Sequence, residues 1–168
     1  MAGCLLAFEA LDALAFRPFG DVIETAGAAV RLINQGTTTR YDCAARIDVG
    51  TSGGRPHLAL FRATRRARPI TISMMERHPL GSQAFVPLSD GDWLVVVAPG
   101  DGPPDPMALR CFRATRHQGV NIARNVWHHP LLVLAPEQTF LVLERAGNGD
   151  NLEEVTFSNE ADSRFIDL

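Results

Sequence analysis

The sequence predicts an all-β fold, a barrel or sandwich of short strands with a few short peripheral helices, and three observations predict it. Short apolar or alternating runs recur along the chain, separated by clusters of glycine, proline, serine and aspartate. Stretches with helical spacing of apolar residues are few. No linker, repeat or low-complexity tract interrupts residues 1–168, so the chain reads as one domain long enough to bury its own core.

Taken in order, Ala7–Ala15 has apolar residues at helical spacing and is expected to form a helix. Strands are expected at Val30–Asn34, Ala44–Val49, His57–Ala63, Ile70–Met75, Ala84–Leu88 and Trp93–Ala98. Further strands are expected at Leu109–Ala114, Gly119–Ile122, Leu131–Leu134 and Phe140–Arg145. Between them lie turn clusters at Thr51–Gly54 and Ser89–Asp92, and the Pro99–Pro106 stretch holds four prolines and two glycines. Single helical turns are expected at Asp105–Leu109 and Asn159–Phe165. Trp93–Val97 is continuously apolar and β-branched, the pattern of a strand buried on both faces. Leu58–Arg62 and Leu109–Arg113 alternate more, as strands with one wet face do.

Composition excludes several classes of function. A net charge of −3 gives no basic footprint for nucleic acid and no polybasic patch for a membrane surface. All 16 basic residues are arginines, so Schiff-base and lysine-base chemistry are ruled out. Cys4, Cys43 and Cys111 are odd in number and unpaired in spacing, which fits reduced thiols in a reducing compartment. The apolar start lacks a positively charged opening and is broken by Glu9 and Asp12, so no signal peptide and a cytoplasmic location are expected. No window reaches the apolar length of a membrane span. Phosphate-binding glycine loops, nucleophile elbows and Cys–His nucleophile patterns are all missing from the sequence.

Ligand-capable residues concentrate in two segments. Of His57, His78, His117, His128 and His129, three fall within Glu76–Gln83 and Arg124–Pro130. The spacing is similar to the paired metal motifs of cupin barrels. Those motifs run His-x-His with a later Glu, then Pro-x-Gly-x-x-His. Here Glu76-x-His78 followed by Gln83 has the first outline with two positions changed, and Ala123–His128 fills the second frame. Glu76, His78, Gln83 and His128 are therefore nominated as four groups facing one cavity, a nitrogen/oxygen set suited to a divalent metal. Blander readings stand beside this one. His78 and His129 each precede a proline and could simply shape extended turns, Glu76 and Arg77 could form a solvated pair, and Trp127 could be core or pocket wall. His57 is expected at an exposed strand edge and His117 in a turn. Arg77, Arg124 and Arg40 are candidate anchors for a small carboxylate, with Asn125 and Trp127 beside them as substrate-lining candidates.

Several blocks of the sequence resemble the ureidoglycolate lyase family. They are Phe19–Glu24, Glu76–Phe85, Gly119–Asn121, Arg124–Leu131 and Phe140–Arg145, running in order from about Phe16 to Glu154. The Glu-Arg-His-Pro-Leu-Gly and Trp-His-His-Pro blocks together are quite specific. The resemblance implies a cupin-like double-stranded β-helix, usually homodimeric. It implies cleavage of (S)-ureidoglycolate to glyoxylate and urea, a late step in allantoin degradation, and a divalent metal, nickel in some members. Two positions depart from the pattern of some relatives: Ser73 stands where they carry histidine, and Ile122-Ala123 where they carry Tyr-His. On this reading His78, His128, Glu76 and Gln83 would hold the metal, and Arg77 or Arg124 would hold the substrate carboxylate. His129 or Glu76 would move the proton, with Glu76 open between ligand and base. Two alternatives remain open: an amidohydrolase releasing ammonia from the same substrate, and a non-catalytic cupin binding a small acid.

Overall fold

In the computed structural model, residues 4–159 and 162–168 are described. The chain opens with β1 (Cys4–Leu5), β2 (Phe8–Ala10), the one-turn helix α1 (Ala13–Phe16) and β3 (Gly20–Ile23). A hairpin follows, β4 (Ala29–Ile33) and β5 (Thr38–Asp42), then the long β6 (Arg55–Thr64), β7 (Ile70–Ile72) and β8 (Met74–Arg77). The middle holds β9 (Gln83–Pro87), β10 (Trp93–Ala98), β11 (Arg110–Ala114) and β12 (Gly119–Ile122). Last come β13 (Trp127–His128), β14 (Leu132–Val133), β15 (Glu137–Ala146), β16 (Glu153–Thr156) and β17 (Arg164–Ile166). The all-β class expected from the sequence is the class observed.

Two sheets position the site. One runs β16-β8-β13-β10-β11-β2, with β14 also paired to β10; the other runs β3-β12-β9-β15-β6. β10 is apolar at every position because it divides its side chains between two cores. Trp93, Val95 and Val97 pack with Phe16, Phe85, Phe112, Val120 and Phe140 between the two sheets. Leu94, Val96 and Ala98 pack on the outer side with Ile72, Met75, Cys111, Trp127 and Ile166. Each fully buried aliphatic or aromatic side chain of this kind contributes roughly 1.5–3 kcal/mol. That outer layer is closed by the small sheet β1-β17-β7. Cys111 lies in it, where burial, helped by Glu9, pushes its thiol up to about 12, so it is no nucleophile at neutral pH.

Three local expectations are corrected. Ala7–Ala15 is not one helix: Phe8–Ala10 adds to β11 as a parallel edge strand, and only Ala13–Phe16 turns helical. Asp12 causes the break, since its Oδ1 accepts from the backbone N–H groups of Leu14 and Ala15 at 3.0 and 2.9 Å. Ala44–Val49 joins no ladder. Side chains satisfy its backbone instead: Asp21 accepts from Arg46 N–H, Ser82 Oγ accepts from Asp48 N–H, and Asn121 donates to Arg46 O. Ile70–Met75 is two strands, because the chain leaves the small sheet after Ile72 and joins the large one at Met74. The turn expected at Asn159–Phe165 falls partly on residues 160 and 161, outside the described residues, and Arg164–Ile166 is a strand. Asp105–Leu109 does hold a single turn, at Pro106–Ala108. His57 lies exposed on β6 and His117 in a turn, as expected.

Gly20 is one glycine the architecture requires. Its φ is +146°, and a Cβ there would lie 2.0 Å from Asn121 O, so only glycine lets β3 approach β12 this closely.

Candidate active site

The two sheets bring their polar residues together at one end of the inter-sheet core. On β13, Trp127 packs in the outer core, so its neighbour His128 faces the opposite way, the side shared by Val97, its partner on β10. The β13–β8 ladder sets His128 directly across from Glu76. On β8, Met75 likewise points to the outer core, leaving Glu76 on the inner face. Gln83 starts β9 and Glu144 continues the inward parity of Phe140 and Val142 on β15. Glu76, His78 and His128 each offer a ligand atom, all within 4.8 Å of one another.

Hydrogen bonds fix how these groups are presented. His128 Nδ1 lies 3.1 Å from Val126 O, and a carbonyl can only accept, so Nδ1 carries the hydrogen and Nε2 the lone pair. That Nε2 is fully buried with no hydrogen-bond partner among the described residues; Glu76 Oε1 stands 3.5 Å away, too far for a good bond. An orphaned buried acceptor costs roughly 1–3 kcal/mol, and a backbone-anchored imidazole with its other nitrogen free is how metal-ligating histidines are held. His78 Nδ1 donates to Asn151 O at 2.7 Å, and its Nε2 lies 3.1 Å from Gln83 Oε1. Gln83 in turn donates to Glu144 Oε2 at 2.8 Å. The donor set therefore fits a divalent cation at Glu76, His78 and His128. Gln83, expected as a fourth ligand, turns its Oε1 to the same His78 Nε2 that would face the cation and gives its Nε2 hydrogen to Glu144.

Electrostatics separates the two candidate proton carriers. Burial, the largest single influence on Glu76, pushes its carboxyl up, but the facing His128, with His78 and His129 behind it, outweighs burial and holds it below the usual glutamate value. His129 is pushed down to about 4, chiefly by burial, with Arg66 and His128 also lowering it against Pro130 O and Glu76. Its Nδ1 donates to Pro130 O at 2.8 Å, and with its pKa pushed down this far by burial the ring is neutral at neutral pH.

Glu76 and Gln83 open onto a cleft of about 530 Å³, ample for a small acid. Phe61, Phe85 and Leu131 wall it, and Arg62, Arg65 and Arg66 stand at its rim. None of the arginines expected as carboxylate anchors lines this cleft. Arg77 alternates away from Glu76, stacks 4.4 Å over Trp127, and bonds Glu153 and Gly100 O. Trp127 is core, its indole N–H given to Gly102 O. Arg124 bonds Thr51 and faces Asp48 in a separate depression. Asn125, with φ of 69°, donates to Gly100 O. Arg40 lies on the exposed hairpin, paired with Asp42 at 2.6 Å. The sequence reading missed Glu144, Asn151 and the β6 rim. Glu144 carried a signal: it is an acid on the inward parity of an otherwise mostly apolar strand face.

Residues 4–163 match the ureidoglycolate lyase family. A ureidoglycolate lyase of Brucella anthropi is 54% identical over 92% of this chain and 90% of its own length. One from Burkholderia mallei is 52% identical over 89% and 87%, and one from Brucella melitensis 53% over 93% and 92%. Among solved structures, RmlC from Streptococcus suis, in complex with dTDP-D-xylose, matches with a TM-score of 0.52 at 10% identity. The match covers 88% of this chain and 74% of that one, a likeness of fold alone. The fold is a cupin-like β-barrel.

Proposed function

The chain belongs to the ureidoglycolate lyase family, and we propose that it cleaves (S)-ureidoglycolate to glyoxylate and urea, recovering nitrogen late in allantoin degradation. The observation that carries this reading is the Glu76–His78–His128 cluster opening through Glu76 onto a cleft sized for a small acid.

The substrate bears a hydroxyl and a urea nitrogen on the same carbon, beside a carboxylate. Cleavage consumes no water: the O–H bond breaks, the carbon–oxygen bond becomes a carbonyl, the C–N bond breaks and the nitrogen gains a proton. Glu76 takes the hydroxyl proton, and because oxygen and nitrogen share a carbon, the same carboxyl returns it to the departing nitrogen. His129, neutral and buried, serves as a hydrogen-bonding group beside Glu76 and not as a source of an imidazolium proton. Gln83 and Asn151 hold the His78 ring in place. His78 and His128 would hold a divalent metal beside Glu76, which acts as the base and not as a third ligand; nickel is our assignment from the family resemblance. When bound, such a metal supplies Lewis-acid stabilisation of the developing alkoxide.

Incubation of the purified protein with ureidoglycolate will release glyoxylate and urea in equal amounts. Ammonia appearing first would instead make the protein an amidohydrolase, and glyoxylate binding without turnover would make it a binding protein. Exhaustive chelation will lower the rate and added divalent metal will restore it; turnover that survives chelation unchanged rules the metal out.

We also propose a cytoplasmic homodimer. Support for the compartment is three free cysteines, Cys4, Cys43 and Cys111. No helix among the described residues is long and apolar enough to cross a membrane. Support for the dimer is the ten-residue edge strand β6, where Leu58 and Leu60 stand 62% and 67% exposed, and the hairpin, where Val30 and Leu32 are also exposed. Leu60→Glu is expected to shift the mass in solution from dimer to monomer; an unchanged dimer would place the interface elsewhere.

A further inference from the structure

We propose that Arg66, in the segment that follows β6, is the group that binds the substrate carboxylate and so selects α-hydroxy acids over neutral carbinolamides. The inference rests on the lyase reading above. The cleft floor carries Glu76, with Glu144 behind Gln83, so an anionic substrate meets like charge there unless a cation offsets it. Three arginines stand at the rim. Arg62 leans toward Glu137 at 3.6 Å and is 70% exposed, an outward side chain. Arg65 and Arg66 make no side-chain hydrogen bond or ion pair among the described residues, unlike Arg77, Arg124 and Arg40, which are all engaged elsewhere. Arg65 and Arg66 both line the cleft together with Pro130 and Leu131, and Arg66 is in addition near enough for its charge to lower the buried His129; Arg65→Ala, at the neighbour lining the same cleft, is the control that separates the two. A guanidinium there offers a planar fork to a carboxylate and leaves the neighbouring hydroxyl carbon directed toward Glu76.

Arg66→Ala, Arg66→Lys, Arg65→Ala and, as a charge control far from the cleft, Arg116→Ala would be compared on two substrates. One is ureidoglycolate; the other is N-(hydroxymethyl)urea, which has the same hydroxyl and urea nitrogen on one carbon but no carboxylate. Arg66→Ala is expected to lose roughly 10- to 150-fold in kcat/KM on ureidoglycolate, mostly through KM, the range for a hydrogen bond to a charged group. Its inhibition by glyoxylate will weaken in proportion, while its rate on N-(hydroxymethyl)urea equals that of the parent. Arg66→Lys will recover part of the loss, and Arg65→Ala and Arg116→Ala will behave as the parent. Parent-like kinetics in Arg66→Ala, or equal losses on both substrates, overturn the proposal while leaving the lyase reading intact. If the parent protein turns over neither substrate, the lyase reading fails, and calorimetric titration with glyoxylate still decides whether Arg66 binds a carboxylate.

Discussion

Replacing His128 by alanine will reduce release of glyoxylate and urea more than about 100-fold, since even groups that merely orient a metal ligand are worth 10- to 100-fold. The reasoning starts from burial. His128 is 1% exposed, its Nδ1–H is committed to Val126 O, and its Nε2 lone pair has no hydrogen-bond partner among the described residues while facing Glu76 and His78. A core histidine kept only for packing would have both nitrogens satisfied. Alanine also leaves a void beside Val97, so part of any loss must be separated from folding. His128→Gln provides that separation, because it fills most of the volume and presents an amide near the Nε2 position. Both variants should keep the circular dichroism spectrum of the parent and unfold at a modestly lower temperature. Full activity in folded His128→Ala would remove this residue from the site.

The strands that were legible in the sequence are those whose surroundings are simple. Trp93–Ala98 could be read because apolar layers cover both its faces, which forces every position to be apolar. Ala7–Ala15 was misread because its apolar spacing suits a helix, while what decides its conformation is an open edge on β11, far along the chain, that Phe8–Ala10 satisfies. Ala44–Val49 looks like a strand by composition, but its backbone partners are the side chains of Asp21, Ser82 and Asn121, which no local pattern announces.

The site divides in the same way. Glu76, His78 and His128 were legible because ligand-type residues at strand spacing are unusual in an otherwise apolar barrel, and the β8–β13 ladder does bring them together. Arg77 was misplaced by one residue of parity: adjacent to Glu76 in sequence, it points to the opposite face and spends its charge on Glu153. Asn125 and Arg124 share a segment with His128 yet serve the turn and a neighbouring depression. Arg66 was invisible for the converse reason. It reaches the cleft because β6 pairs along its whole length with β15, a non-local registration that carries the end of β6 to the site.

Glu76→Gln will lower kcat by roughly 10²- to 10⁴-fold with little change in KM, the range expected when a proton-transfer group is lost. The amide keeps the size of the side chain and an oxygen that could face a cation, but it cannot accept the hydroxyl proton. Metal content measured on the same sample divides the two roles. A variant that retains metal but not turnover identifies Glu76 as the base, whereas loss of both identifies it as a ligand. The pH profile is a second reading. Glu76 must be ionised to act, and His128 with its neighbours holds its carboxyl below the ordinary value of 4.5 despite burial. The acid limb that Glu76 itself sets should therefore lie below pH 4.5 and be absent from Glu76→Gln, while a loss at higher pH that added divalent metal reverses reports protonation of the imidazoles that hold the metal. Stability follows the same sign. A carboxyl whose pKa is depressed by folding stabilises the native state above its unfolded value, and that contribution disappears as pH falls through the folded one. The difference in unfolding free energy between parent and Glu76→Gln should thus narrow below pH 4.5. An acid limb centred near pH 6.5 that persists in Glu76→Gln and does not respond to added divalent metal would transfer the base role to a histidine.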